Sequence, residues 1–223
     1  MSTKANNLNT DDNHERVTKR KAHMLSRNDV QNFSLIVEEA DRGHRFGNFH
    51  NYYTFHPTSD RIQPLFTDLY PDLPGLLINP MKESDKSKSC VTYCDLGCNE
   101  GTLTLDVAKE LTQRCKRHVK CVGMDIDKEL ICRAEKSANL VSKSHNIEGH
   151  FHLCNLNDSL TLKNICISFL TDIRKEERFD LISVFSTTMW IHAHGGDDGL
   201  KKFLQTICGM CRFLLIEPQP SKW

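Results

Sequence analysis

Beyond residue 90 the apolar positions fall into short runs that alternate with stretches in which they recur every three or four residues. The runs Val91 to Cys94, Val119 to Met124, His150 to Cys154, Phe179 to Phe185 and Arg212 to Ile216 read as strands. The stretches Thr102 to Gln113, Lys128 to Val141, about Leu162 to Ile173 and Gly199 to Met210 carry the 3.6-residue period of helices. Strict alternation of strand and helix predicts an α/β fold: five strands in a doubly wound, mostly parallel sheet, with right-handed crossovers and helices on both faces.

The first 89 residues are patterned differently. Residues 1–27 are Asn, Thr, Asp, Lys, Arg and His with few large apolar side chains, too little burial to offset the entropy of ordering, and read as a disordered tail. Its Lys19, Arg20 and Lys21 read as solvated charge. Residues 28–89 form a second segment. It opens with a helix from Asn28 or Asp29 to about Gly43, with Val30, Phe33, Ile36 and Val37 on one face. His44 to Pro57 is dense in aromatics and histidine and has neither a two-residue nor a 3.6-residue period, which predicts side chains turned toward a pocket. A proline-rich stretch and a polar loop from Met81 to Ser89 lead into the core over 90–223.

Composition narrows the functional classes. With 223 residues the chain can bury one substantial core. Lys plus Arg and Asp plus Glu both number 29, so no global positive field holds a polyanion and any nucleic-acid contact must be local. Ten cysteines scattered through apolar segments, behind a polar start without a signal-like apolar stretch, predict reduced thiols and a cytoplasmic, or also nuclear, location. No stretch approaches the roughly 18 consecutive apolar residues of a membrane span, so no membrane association is expected. Cys208 and Cys211 form a C-x-x-C pair without a second closely spaced pair, so no metal site is expected.

The candidate chemistry sits where predicted strands end. The first ends in Asp95 and runs into LGCNEG, where Gly97 and Gly101 bracket a turn that a ligand approaches closely. A dinucleotide fingerprint needs glycine where this chain has Asn99. Asp95 would repel a pyrophosphate but attract an ammonium, which favours S-adenosylmethionine. The second strand ends in Asp125, a carboxylate able to accept both ribose hydroxyls of an adenosine. At the third strand end Asn155 is placed to read an adenine edge and Leu156 to flank the ring, although a plain turn asparagine fits equally well.

Three blocks carry a resemblance: FGNFHNYYTFHP at 46–57, DLGCNEG at 95–101, and STTMWIHAHGGDDGLKKFL with FLLIEPQP between 186 and 220. Together they resemble the bicoid-interacting family of RNA methyltransferases over about Arg45 to Pro220. The resemblance implies a class I, Rossmann-like methyltransferase fold and transfer of methyl from S-adenosylmethionine to a 5′ phosphate of RNA. One branch of that family has Lys within a T-K-W motif and acts on a 5′ triphosphate. Met189 between Thr188 and Trp190 is similar to the other branch, which acts on a 5′ monophosphate of transfer RNA or microRNA precursors. Carried over by motif, the cofactor-binding residues are Tyr53, Arg61, Gly97, Asn99, Asp125, Asn155, Leu156 and Phe185, with Asp95 supporting the turn. The substrate-binding residues are Tyr52, His56, Trp190 and His192. Relatives usually have Asp where this chain has Asn155, and they continue past EPQP with a helix and two strands. On that resemblance the chain is expected to be truncated after its fifth strand: a fragment, an isoform, or a form whose exposed edge a protein partner covers.

A phosphate monoester with its second pKa near 6 is already an anion at neutral pH, so no general base is assigned. Protonated His56 and His192 would bind phosphate most tightly below about pH 6.5. The plainer reading of the aromatic block is that Phe46, Phe49 and Phe55 pack against the sheet. The competing functions are a non-catalytic RNA- or protein-binding module on the same fold, the triphosphate-directed branch, and a methyltransferase for small molecules or proteins.

Overall fold

Seven consecutive residues of β1 (Cys90–Leu96, CVTYCDL) are buried, which requires a strand covered on both faces. Alternate side chains point into two different apolar layers. The structure, a computed structural model, describes residues 47, 49–78, 90–142, 145–174 and 178–218, all within one compact unit, Glu38–Trp223. The expected tail over 1–27, the helix over 28–43, Phe46 and the loop over 81–89 lie outside the described residues.

The remaining strands are β2 (His118–Asp125), β3 (Ile147–Leu153), β4 (Phe179–Phe185) and β5 (Cys211–Glu217). All neighbouring pairs are parallel, in the order β3-β2-β1-β4-β5. The fold is the expected α/β doubly wound sheet. The chain moves outward one way from β1 through β2 and β3, and the other way through β4 and β5. The carboxyl ends of β1 and β4 therefore flank the point where the winding reverses, which is where such sheets open a ligand crevice.

Among the described residues three short helices precede the sheet: α1 (Tyr52–Phe55), α2 (Ser59–Pro64) and α3 (Leu73–Ile78), with a π-helical turn at Leu65–Leu69 between the last two. The proline content suggested an irregular stretch. Pro64 instead ends α2, and Pro74 sits in the first turn of α3, where its missing N–H breaks no helical bond. The long helices are α4 (Thr102–Cys115), α5 (Lys128–Val141), α6 (Ser159–Arg174) and α7 (Thr188–Cys208). α5 starts where Asp127 accepts from the backbone N–H groups of Glu129 at 2.8 Å and Leu130 at 3.3 Å. Asp158 caps α6 in the same way through Leu160 and Thr161. α7 begins eleven residues before the expected Gly199 and bends at Gly196, where φ is 63° and ψ is −169°.

One face of the sheet, with Val91, Tyr93, Val119, Cys121 and Leu181, packs on the apolar stripe of α4 (Leu103, Val107, Leu111), on Ala134 and Ala138 of α5, and on Leu65, Phe66, Leu73 and Leu77. The opposite face, with Cys94, Leu96, Val122, Met124 and Val184, packs on Leu162, Cys166 and Leu170 of α6 and on Ile191, Phe203 and Ile207 of α7. No helix among the described residues is long and apolar enough to cross a membrane. All ten cysteines are free thiols.

At the amino end of the sheet Asp180 is 1% exposed and completes the β1–β4 ladder. Its Oδ2 accepts from the Thr92 backbone N–H at 2.9 Å and from the Thr92 hydroxyl at 3.1 Å, and its Oδ1 accepts from Arg212 at 2.9 Å. Removing one partner of a buried pair leaves the other charge and a buried N–H unsatisfied. Asp180→Ala is expected to lower unfolding free energy by about 3 kcal/mol in urea denaturation. A loss below about 1 kcal/mol would show that water replaces these bonds.

Candidate active site at the carboxyl ends of the strands

Every strand that reaches the winding reversal ends in a polar residue or a turn. Asp95 precedes the turn after β1, where Gly97 has φ 84° and Asn99, at φ 53°, is in the left-handed region. A β-carbon on Gly97 would run into the Thr187 side chain, so the backbone passes the next loop at a distance only glycine permits. The open cavity here is lined by Tyr52, Tyr53, Arg61, Asp95, Gly97, Asn99, Asp125, Asn155, Leu156, Phe185 and Trp190, among others. The structure thus brings all nine residues assigned to the cofactor into one wall, together with Tyr52 and Trp190 of the substrate set.

Asp95 is 2% exposed. Ser183, its register partner across β1 and β4, donates to Oδ1 at 2.6 Å, and Thr104 of α4 donates to Oδ2. Because the Ser183 proton is used on Asp95, the Tyr93 hydroxyl donates to Ser183 at 2.7 Å. Burial pushes the Asp95 carboxyl up to about 6, against the pull of Ser183 and Thr104. Burial also raises Asp125, opposed by the backbone N–H groups of Asp127 and Asn99, each of which donates to it at 2.9 Å. These backbone bonds, with a further one from Ile126, leave the Asp125 carboxylate with acceptor capacity. Tyr53 is held well above the ordinary phenol range, first by burial and then by Asp95, so it stays neutral.

Arg61 joins three elements. Its Nε donates to both carboxylate oxygens of Glu217 at the end of β5, at 3.1 and 3.0 Å. Its Nη2 donates to the Tyr52 hydroxyl at 2.6 Å and to Ser186 at 3.3 Å, and Ser186 donates to Glu217 at 2.9 Å. Burial disfavours the guanidinium charge, but Tyr52 and Glu217 outweigh it and raise the pKa of Arg61 above its ordinary value. Glu217 and Ser186 were not among the expected site residues. Their positions at strand ends after β4 and β5 were the available signal.

The other two substrate candidates lie outside the lining. His56 is exposed, with its ring 4.9 Å from that of Tyr52. His192 is exposed and pairs with Asp197 at 2.6 Å. On the helical face that carries Trp190 the lining histidine is His194, four residues on, whose Nδ1 is 2.9 Å from the Trp190 carbonyl oxygen. Residues four apart share a helix face, and Trp190 with His192 do not. Met189 is half-buried and outside the lining. Phe49 and Phe55, expected to pack on the sheet in the plainer reading, are 38% and 77% exposed. Among the described residues no group of His, Cys, Asp and Glu could hold a metal ion.

The model of the family described as bicoid-interacting protein 3 (Bin3) matches residues 179–223. A pre-miRNA 5′-monophosphate methyltransferase of Xenopus laevis is 34% identical over 186 residues, covering 79% of this chain and 67% of that protein. The chain belongs to the Bin3 family. RNA 5′-monophosphate methyltransferases of Bos taurus and Homo sapiens are 34% and 31% identical, each over 79% of this chain and 59% of their own length. This Bin3 member thus spans about three-fifths to two-thirds of the curated relatives it matches. Likeness to solved structures is slight: the plantazolicin methyltransferase BpumL superimposes with a TM-score of 0.40 at 15% identity, over 84% of this chain and 61% of that one.

Two predictions follow from this geometry. Asp95 titrates higher in the fold than its ordinary 3.8, so the fold holds more protons than the unfolded chain between about pH 4 and 6. This group alone then makes the empty protein less stable as pH rises through that window, whereas a cationic ligand needs the ionised form. Affinity for an ammonium-bearing ligand is expected to fall up to about tenfold between pH 6 and pH 5 in calorimetric titration, and Asp95→Asn is expected to abolish that dependence. An unchanged slope in the variant would place the titrating group elsewhere. Gly47, at φ 72°, lies against the Trp190 indole so closely that a β-carbon would overlap the ring. In a Trp223→Phe background, Gly47→Ala is expected to shift the emission of Trp190, and an unaltered spectrum would mean the two do not touch.

Proposed function

We propose that this chain binds S-adenosylmethionine in the described cavity and transfers its methyl group to the 5′ monophosphate of an RNA, such as a microRNA precursor or transfer RNA. The observation that carries the reading is the pairing, in a member of this family, of two buried strand-end carboxylates with the Arg61–Tyr52–Ser186 cluster across the same cavity.

The donor set suits that cofactor. Asp95 presents a buried carboxylate to an ammonium, Asp125 retains acceptor capacity for ribose hydroxyls, and the Gly97 turn admits a ligand against the backbone. Asn155 and Leu156 would hold the adenine, with Asn155 supplying an acceptor without the charge of an aspartate. When bound, S-adenosylmethionine supplies the methyl carbon, and its sulfur keeps the carbon–sulfur electron pair as a phosphate oxygen forms the new bond to carbon.

The protein's part is alignment and exclusion of water. A phosphate monoester is largely dianionic at neutral pH, so no side chain need remove a proton. Holding oxygen, carbon and sulfur in line is worth roughly 7–11 kcal/mol in favourable models. Arg61, which the resemblance assigns to the cofactor, is fixed on two sides by Glu217 and Tyr52 and would also orient the phosphate beside it. Neutral Tyr53 would lay its ring along the reacting atoms, and Trp190 would stack the terminal base. His194, which lines the cavity, would join the expected His56 and His192 as a histidine able to reach the substrate.

Charge supports a monophosphate over a triphosphate. Among the described lining residues, Asp95 and Asp125 oppose the single guanidinium of Arg61, which is already paired with Glu217. A terminus with two further phosphates would add like charge to that wall. The same reading places the chain in the cytosol or nucleus, supported by ten free cysteines.

The test is transfer of labelled methyl to one short RNA carrying a 5′ monophosphate, triphosphate or hydroxyl. Label is expected on the monophosphate form alone, with Arg61→Met lowering kcat/KM roughly a hundredfold. Equal labelling of the triphosphate would sink the charge argument. Cofactor binding without transfer to any RNA would favour a non-catalytic binding module.

A further inference from the structure

Residues 49–56 run along the cavity, which Tyr52 and Tyr53 line, and their hold on the neighbouring elements is specific. Gly47 abuts Trp190 of α7, and Arg61 donates to Tyr52. Between Gly47 and Tyr52, the Asn99 amide donates to the Phe49 carbonyl at 3.0 Å, Arg133 of α5 donates to the His50 carbonyl at 3.1 Å, and His50 Nε2 meets Asp127 Oδ2 at 2.9 Å. His50 is 6% exposed although it lies three residues from Tyr53 on a segment that otherwise shows Phe49, Asn51 and Thr54 to solvent. A histidine buried on a surface segment is held there by its partners.

Those partners are the ribose wall itself. Asp125 accepts from the backbone N–H of both Asn99 and Asp127, and these two residues then hold Phe49 and His50 through their side chains. The bonds close into a ring: Asp125 to Asn99, Asn99 to the Phe49–His50 backbone, His50 to Asp127, and Asp127 back to Asp125. Asp127 is fixed on its other oxygen by capping α5, so it offers His50 a stationary acceptor. Glu129, at 3.6 Å from Nδ1, and Arg133 flank the imidazole.

We propose that His50 is a positioning residue whose bond to Asp127 clasps the aromatic roof over the bound cofactor and sets the rate at which the cofactor product leaves. The inference rests on the assignment of the cavity to S-adenosylmethionine. A ligand hydroxyl on Asp125 steadies Asn99 and Asp127, the anchors of the roof, and the closed roof in turn holds Tyr52 and Tyr53 along the cavity. Product release requires the clasp to open. Its strength therefore appears in the dissociation rate, and loss of folded protein would leave that rate unchanged in the molecules that remain folded.

The probe is S-adenosylhomocysteine, displaced from the whole chain by excess unlabelled ligand in stopped flow, with amide hydrogen exchange of residues 49–56 measured on the empty protein. His50→Ala is expected to raise the dissociation rate about tenfold or more and to speed exchange of the roof amides. His50→Gln, which keeps a side-chain donor toward Asp127, is expected to return the rate to within about threefold of the native value. Native dissociation and exchange rates in His50→Ala would overturn the clasp while leaving the cofactor assignment intact. Failure of the native chain to bind S-adenosylhomocysteine at all would overturn the cofactor assignment and the clasp with it.

Discussion

A carboxylate buried at the end of β1 is the constraint on which the site depends. Asp95 is held by Ser183 from β4 and Thr104 from α4, so one side chain ties together the two strands that flank the winding reversal and the helix that follows the glycine turn. Burying that charge works against folding: a carboxyl raised from 3.8 to about 6 corresponds to about 3 kcal/mol. The surrounding apolar layers offset the cost, and the cavity keeps an anionic wall of Asp95 and Asp125. Such stored cost is common where a fold must be ready for a charged ligand.

The three central strands β1, β2 and β4 were legible because each is covered on both faces or nearly so, and continuous burial leaves an apolar run in the sequence. β4 matches its expected limits, whereas β3 begins three residues before His150. At the edge of the sheet its residues alternate between Phe151, which is buried, and His150 and His152, which are exposed, and that weaker pattern hid its start. The carboxylates and the glycine turn were legible for a related reason, since strand ends next to a turn are where ligand contacts gather.

Other parts depend on partners distant in sequence. The early start of α7 was masked because only Ile191 is buried before the bend at Gly196, so residues 188–195 carry no apolar stripe. The role of Glu217 requires Arg61, 156 residues away. That His194 rather than His192 lines the cavity follows from helical phase, and residues 186–198 were given no element from sequence. The clasp at His50 joins residues 77 apart and leaves no local signature.

The bend at Gly196 divides α7 into two parts with different duties. The later turns bury Phe203, Thr206 and Ile207 and are bound to the core, where changes in volume are strongly felt. The earlier turns carry Trp190 and His194 to the cavity and have little buried surface of their own. Because the glycine interrupts the helical backbone between them, substitutions in the first part can re-aim the aromatic and histidine side chains without twisting the second. The helix thus separates the shape of the cavity wall from the integrity of the fold.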